Sequence, residues 1–303
     1  MKLKTKDLLT GDEISSKEFL KLIDFSIKLK KQNKTGKEKP LLKNKTLAMI
    51  FEKPSTRTRV SFEVGMSQLG GHAVNLSSNQ MQHSRGESAE DTAKTLSCYV
   101  DAIVARVYEH DFIEELAKHS TIPVINGLSN SYHPCQTLAD LMTIKEHKKK
   151  FKDLKIAWIG DGNNVCNSLI FGCSKTQIQI SIATPKGFEP NSDVVKKASK
   201  YTSVDLTTDP EFAVRDADVV MTDTFVSIHD SDAKSKKFLP TFQVNESLMN
   251  KAKDNAIFMH CLPAKRDQEV TSAVIDGPQS VVWDEAENRL HTQKALLLSL
   301  LSI

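Results

Sequence analysis

Ser55-Thr56-Arg57-Thr58-Arg59 puts three hydroxyls and two guanidiniums into five consecutive residues, after an apolar run and ahead of a helical pattern. That combination suits a small, doubly charged phosphate ligand. A helix start offers unpaired backbone N–H groups and the positive end of the helix dipole. The dipole contributes about 0.3–1 kcal/mol. Arginines add forked, charge-assisted hydrogen bonds that a lysine does not match. The plainer alternative is a simple N-cap by Ser55 or Thr56, with both arginines in solvent.

Four further segments carry reactive side chains: Arg106; His133-Pro134-Cys135-Gln136; Asp223-Thr224-Phe225-Val226-Ser227; and His260-Cys261-Leu262-Pro263. Singly, each has an ordinary use. Arg106 can serve a surface ion pair, His133 a loop, Asp223 a turn and Cys261 a buried packing position. Position is what joins them. All fall at the carboxyl ends of expected strands or in the loops that follow, where open α/β sheets hold their ligands.

The elements that must carry these residues alternate along the chain. Short apolar runs at 46–51, 72–76, 102–107 and 121–125 read as buried strands. Helical patterns at 56–69, 90–100 and 112–119 lie between them, and Gly70-Gly71 is a helix stop. Residues 126–133 are expected to be a loop, and a longer helix starts at Gln136 and runs to about 149. The pattern then restarts: strand 154–159, turn 160–164, helix 165–175, strand 178–183, with further strands at 219–223 and 256–260. This predicts an α/β protein of two domains, each a mostly parallel sheet flanked by helices. The basic segment near 145–152 marks the boundary, and a solvated helix end explains its lysines.

The totals narrow the function classes. In 303 residues, 26% are charged and 39% hydrophobic, as in ordinary globular proteins. A net charge of +3 with no basic stripe among aromatics gives no reason to expect a nucleic-acid partner. Residues 1–18 lack the apolar core of a secretory signal, and the apolar stretch 295–303 falls far short of the ~20 residues a membrane span needs. Five cysteines, with no Cys-x-x-Cys pair, argue against disulfides and a structural zinc site. A cytoplasmic location is expected, without membrane association. Gly160-x-Gly162 after a strand resembles half of a dinucleotide fingerprint, but Val165 stands where the third glycine belongs. No phosphate-loop motif of the Gly-x-x-x-x-Gly-Lys-Ser/Thr type occurs. A nicotinamide oxidoreductase, or a binding protein that keeps a phosphate pocket without catalysis, are the rival classes.

Taken together, Ser55-Thr56-Arg57-Thr58-Arg59, His133-Pro134-Cys135-Gln136 and His260-Cys261-Leu262-Pro263 resemble the aspartate/ornithine carbamoyltransferase family, in order and over nearly the whole chain. The Cys-containing final motif and the segment from Asp223 to Ser227 resemble the ornithine branch; an aspartate enzyme is expected to read Pro-Leu-Pro instead. The resemblance implies a carbamoyl phosphate-binding domain over 1–135, a linking helix over 136–150, an ornithine-binding domain over 151–286, and a C-terminal helix, 287–303, packed back onto the first domain. It implies that Ser55, Thr56, Arg57 and Thr58 bind phosphate with Arg106, and that Thr58, Arg106, His133, Gln136 and Arg289 contact the carbamoyl group. Cys261 and Leu262 are implied at the same donor. Gln82 matches the position from which a neighbouring subunit completes the phosphate site, which implies a homotrimer, or a multiple of trimers, with shared active sites. Asn164, Asp223, Ser227 and Ile228 are implied at the acceptor, with Cys261 beside the reacting amine. No metal or cofactor is implied, and no Asp/Glu/His grouping in the sequence argues for a metal.

The implied activity is transfer of the carbamoyl group from carbamoyl phosphate to the δ-amine of ornithine, in arginine biosynthesis or breakdown. One departure bears on the acceptor. Where the family usually reads Ser-Met-Gly, this chain has Ser227-Ile228-His229. Ile228 can replace Met in apolar contact but is stiffer, and His229 lacks glycine's backbone freedom. A putrescine-using relative is the closest competitor, ranked lower because Asp223 and Ser227, suited to an α-amino group, both remain.

Overall fold

The computed structural model describes residues 1–77, 86–225 and 232–301. The chain divides into two compact units, Met1–Met142 with Glu287–Ile303, and Thr143–Ala286. Each is a parallel sheet flanked by helices.

The first unit opens with α1 (Ser16–Lys34), whose N-cap Ser15 and third-position Glu18 form a reciprocal capping box. It continues through β1 (Thr46–Phe51), α2 (Thr56–Gln68), β2 (His72–Ser77), α3 (Ala89–Tyr99), β3 (Ala102–Arg106), α4 (His110–His119), β4 (Val124–Leu128) and the start of α5 (Pro134–Lys148). The four strands are all parallel in the order β2-β1-β3-β4. Ile50, Ile103, Ala105, Ile113, Leu116 and Val124 pack into one core cluster on this sheet.

The last strand lies three residues beyond its expected place: β4 covers 124–128, not 121–125, so Asn126 and Gly127 are strand residues rather than loop. The reason lies in its donors: the Asn126 backbone N–H donates to Leu8 O and its side-chain amide to Leu9 O at 2.7 Å, so the N-terminal segment takes up both.

The second unit holds the rest of α5, then β5 (Lys155–Ile159), α6 (Asn164–Thr176), β6 (Gln179–Ala183), α7 (Ser192–Ala198), β7 (Val204–Thr207), α8 (Pro210–Val214), β8 (Val219–Thr222), a 3-10 turn (Asp232–Lys237), α9 (Glu246–Met249), β9 (Ile257–His260) and α10 (Ser272–Ile275). Its five strands are also all parallel, in the order β7-β6-β5-β8-β9. Phe225, Phe238 and Phe242 pack in its core, the first two stacked with ring centroids 4.6 Å apart and the last two edge to face.

The final helix, α11 (Val282–Leu300), begins in the second unit and ends in the first. In the first unit Lys30 Nζ donates to Asn288 Oδ1 at 2.8 Å, and the buried Lys294 ammonium pairs with Glu38 at 2.6 Å. Among the described residues no helix is long and apolar enough to cross a membrane.

Both sheets reverse their strand order once. The reversal falls between β1 and β3 in one and between β5 and β8 in the other. At such a point the connections leave the sheet on opposite faces and open a crevice at the strands' carboxyl ends.

Candidate active site

In the first unit the crevice is framed by the segment after β1 and by the end of β3, where Phe51 pairs with Arg106. Ser55 is the N-cap of α2, its hydroxyl accepting from Thr58 N at 3.2 Å. No acidic residue stands in the first turn of α2, so the positive end of its dipole is not offset there. Ser55 thus serves as the helix cap that the plainer alternative expects. Thr56 is exposed, Arg57 half-buried and Thr58 buried. Arg59 turns outward and pairs with Glu63 at 3.1 Å, so only one of the motif's two guanidiniums belongs to the cluster.

Thr58 is the hub. Its hydroxyl oxygen accepts from Arg106 Nη1 at 3.5 Å and from Arg289 Nη2 at 3.2 Å. Arg289 sends its other arm, Nη1, to Gln136 Oε1 at 2.6 Å, and Gln136 Nε2 donates to Asp140 at 2.8 Å. Thr58, Gln136, Asp140 and Arg289 are buried, and Arg106 is partly buried. His133, at the foot of α5, is 4% exposed. Burial, and then the charges of Arg289, Arg106 and Arg57, hold its pKa well below the usual imidazole value. His133 is therefore a neutral ring at neutral pH, able to donate one N–H without adding charge. Its neighbour Cys135 is inert: burial pushes its thiol up to about 12, with Arg289 opposing.

In the second unit the crevice lies between the ends of β5 and β8. The turn after β5 carries Gly162, where an added Cβ would stand 2.3 Å from Pro190 N and 2.6 Å from Phe188 O. Close backbone approach thus explains the glycine that resembled a dinucleotide fingerprint. Across the crevice, Asp223 follows β8. Its Oδ1 accepts from Thr224 N at 2.8 Å and from Cys261 Sγ at 3.2 Å; its Oδ2 accepts from Asn163 Nδ2 at 2.8 Å. Asn164 occupies the first position of α6, its Oδ1 accepting from Val165 N at 3.0 Å.

The Cys261 loop is held from beneath. His260 is fully buried; its N–H donates to Glu285 Oε2 at 3.0 Å, its Nδ1 accepts from Leu262 N at 2.8 Å and its Nε2 faces Glu269 Oε1 at 3.3 Å. Leu262 adopts a left-handed backbone, φ +58. That conformation costs a residue with a Cβ roughly 1–2 kcal/mol, and the bond to His260 holds it.

Asp223, His260 and Cys261 bring three potential metal-ligating atoms within 4.8 Å of one another, a grouping invisible in the sequence. The hydrogen bonding does not favour a cation there. His260 Nδ1 spends its lone pair on Leu262 N, which leaves Nε2 protonated toward Glu269.

Of the residues singled out from sequence, Ser55, Thr56, Arg57, Thr58, Arg106, His133, Gln136 and Arg289 belong to the first unit, and Asn164, Asp223, Cys261 and Leu262 to the second. Gln82, Ser227 and Ile228 lie outside the described residues. Three residues went unselected: Asn163, Glu269 and Glu285. Asn163 was legible as the cap position directly after Gly162. Nothing in the sequence separates the two buried glutamates from surface ones.

Two family descriptions match the chain, "Aspartate/ornithine carbamoyltransferase, carbamoyl-P binding domain" over residues 6–146 and "Aspartate/ornithine carbamoyltransferase, Asp/Orn binding domain" over 152–300. The chain belongs to the aspartate/ornithine carbamoyltransferase family. Among relatives, it is 61% identical over 301 residues to the ornithine carbamoyltransferase of Cenarchaeum symbiosum, covering 99% of each chain. It is 52% identical over 305 residues to that of Bacillus thuringiensis subsp. konkukian, covering 99% of this chain and 95% of the other. In structure it is similar to the ornithine carbamoyltransferase from Pyrococcus furiosus, with a TM-score of 0.94 at 50% identity over 98% of this chain and 97% of that one.

Proposed function

We propose that this protein is an ornithine carbamoyltransferase, moving the carbamoyl group of carbamoyl phosphate to the δ-amine of L-ornithine with release of phosphate. Besides family membership, one observation carries the reading. A carboxylate, Asp223, and a thiol, Cys261, face each other at 3.2 Å across the end of β8, as a receptor for an amine requires. The first unit supplies the complementary chemistry. Arg57, Arg106 and Arg289 surround a neutral His133 at a helix start, which suits an anionic donor.

The attacking nitrogen must be neutral. For an alkyl amine with a pKa of ~10.4, deprotonation at pH 7 costs roughly 4.6 kcal/mol. In this reading Asp223 accepts the amine's hydrogen bond and takes its proton as general base, so that the neutral nitrogen attacks the carbamoyl carbon, while Cys261 holds that carboxylate. Cys261 forms no covalent intermediate. Arg106, His133 and Thr58 stabilise the carbonyl oxygen as it gains charge, where one such donor is worth about 2.7–4 kcal/mol. Ser55, Thr56 and Arg57 hold the departing phosphate, and Gln136 and Arg289 fix the carbamoyl end. Asn164, Ser227 and Ile228 hold the amino acid. No step requires a metal.

The assembly that goes with this reading is a homotrimer, or a multiple of trimers, in which Gln82 of one subunit completes its neighbour's phosphate site, working in the cytosol on arginine metabolism. The decisive experiment is acceptor profiling of the purified protein with carbamoyl phosphate and ornithine, putrescine, lysine or aspartate, read by ureido-product colour. Preference for ornithine is expected. Turnover with aspartate or putrescine but not ornithine overturns the assignment.

A further inference from the structure

The side-chain amide of Asn163 makes two unlike sets of bonds. Its Oδ1 accepts from Val165 N at 3.0 Å and Cys166 N at 3.1 Å, capping α6, while its Nδ2 donates to Asp223 Oδ2 at 2.8 Å. The two helix N–H groups demand an acceptor, so the amide cannot turn over, and its NH2 is compelled to face Asp223. Serine, threonine or aspartate would cap α6 as well as asparagine does. Aspartate presents no donor on the far side, and a serine or threonine hydroxyl, which can donate while it caps, stands one bond closer to its own backbone than the amide NH2.

We propose that Asn163 is a positioning residue for the acceptor: its amide sets the rotamer of Asp223, and with it the carboxylate edge offered to the incoming amine and to the Cys261 thiol. Oδ2 is pinned by Asn163 and Oδ1 is shared by Thr224 N and Cys261 Sγ. With both oxygens held, the carboxylate plane has one orientation. Asp223 is 9% exposed, so a ligand still reaches it from the crevice. The crevice between β5 and β8 is bridged at this point by the Asn163–Asp223 bond, which ties the cap of α6 to the end of β8. The proposal rests on the reading of Asp223 as an acceptor-binding residue.

Two variants and two readouts test it. Asn163→Asp keeps a capping oxygen but sets a carboxylate against Asp223. Asn163→Ser keeps the cap and draws the donor back from Asp223 by one bond without adding charge. Asn163→Ser is expected to keep the parent's melting temperature, Asn163→Asp to lower it through the paired carboxylates, and both to keep the KM for carbamoyl phosphate. The KM for ornithine should rise by about 10- to 100-fold in Asn163→Asp, and by less in Asn163→Ser, as loss of a hydrogen bond to a charged group implies. An ornithine KM within twofold of the parent in Asn163→Asp overturns the proposal. The crystal structure of Asn163→Ser decides the point separately from turnover. A carboxylate turned away from Cys261 supports the positioning role, and an unmoved one refutes it. If the parent protein carbamoylates no ornithine, the functional reading fails alone, and the Asp223 rotamer in Asn163→Ser still gives the answer here.

Discussion

Arg289 and Thr58 are 231 positions apart in the chain, yet Arg289 Nη2 donates to the Thr58 hydroxyl at 3.2 Å. The C-terminal helix thus completes a cluster that the first motif begins. Arg289 spans two partners at once, Thr58 with one arm and Gln136 with the other. A lysine offers a single point of donation and cannot span both. Arg289→Lys should therefore lower kcat/KM for carbamoyl phosphate by about 10- to 100-fold, equivalent to about 1.5–3 kcal/mol. Circular dichroism should show the fold kept. Steady-state kinetics that leave kcat/KM within threefold of the parent would remove Arg289 from the donor site.

Cys261 Sγ donates to Asp223 Oδ1 at 3.2 Å, within the second unit. Cys261→Ala deletes the thiol donor and leaves Thr224 N and Asn163 on the carboxylate. The expected result is a lower turnover and a weaker ornithine affinity, each by about tenfold for a lost hydrogen bond to a charged group. Carbamoyl phosphate affinity, measured by equilibrium titration, should stay within twofold. Collapse of carbamoyl phosphate binding instead would show that the division of labour between the motifs is drawn wrongly.

Gly127 is packed where β4 passes the cluster. A Cβ there would stand 3.1 Å from Val104 Cγ1, 3.2 Å from Ala105 O and 3.4 Å from Thr58 Cγ2. The strand carbonyl cannot yield easily, so the methyl must push on Val104 and Thr58. Gly127→Ala should cost about 1–3 kcal/mol of stability, as overpacking does. By shifting Thr58 it should also raise the KM for carbamoyl phosphate. Urea unfolding and initial rates check both, and a variant equal to the parent in each would mean that the site relaxes freely.

How much of this was readable beforehand follows from where each signal comes from. Buried parallel strands announce themselves as apolar runs, so β1, β3, β5, β6 and β9 stand close to where the sequence predicts them. The edge strand β7 carries partly exposed residues and leaves no such run. The end of β4 was hidden because Asn126 and Gly127 read as turn residues until the pairing of the N-terminal segment is known. In the site, charged and hydroxylic motifs were visible because their types are unusual side by side. Their supports were not. Glu269 and Glu285 hold His260 and the Cys261 loop through contacts 9 and 25 positions away, and only folding brings them there. Arg59 shows the converse, a motif residue that the helix turns outward to Glu63.

His291, on α11, is 1% exposed, with Nε2 3.6 Å from Glu287. Burial first, and then the charges of Lys294 and Lys30, bring its pKa down to about 4, with Glu287 opposing. Its ordinary value is 6.5. Between those values the unfolded chain takes up a proton at His291 that the folded chain refuses. Stability is therefore intact above the unfolded value and falls as pH drops through this window, by at most about 1.4 kcal/mol per pH unit for this one group. Buried His133 and His110 are shifted in the same direction and add slopes of the same sign. Urea unfolding of the parent and of His291→Gln at about pH 7, 6, 5 and 4 isolates this residue. The parent should lose more stability than the variant with each step below neutrality, so that the gap between the two curves drifts in the variant's favour. Parallel curves would mean that His291 is protonated in the fold, with Glu287 outweighing burial.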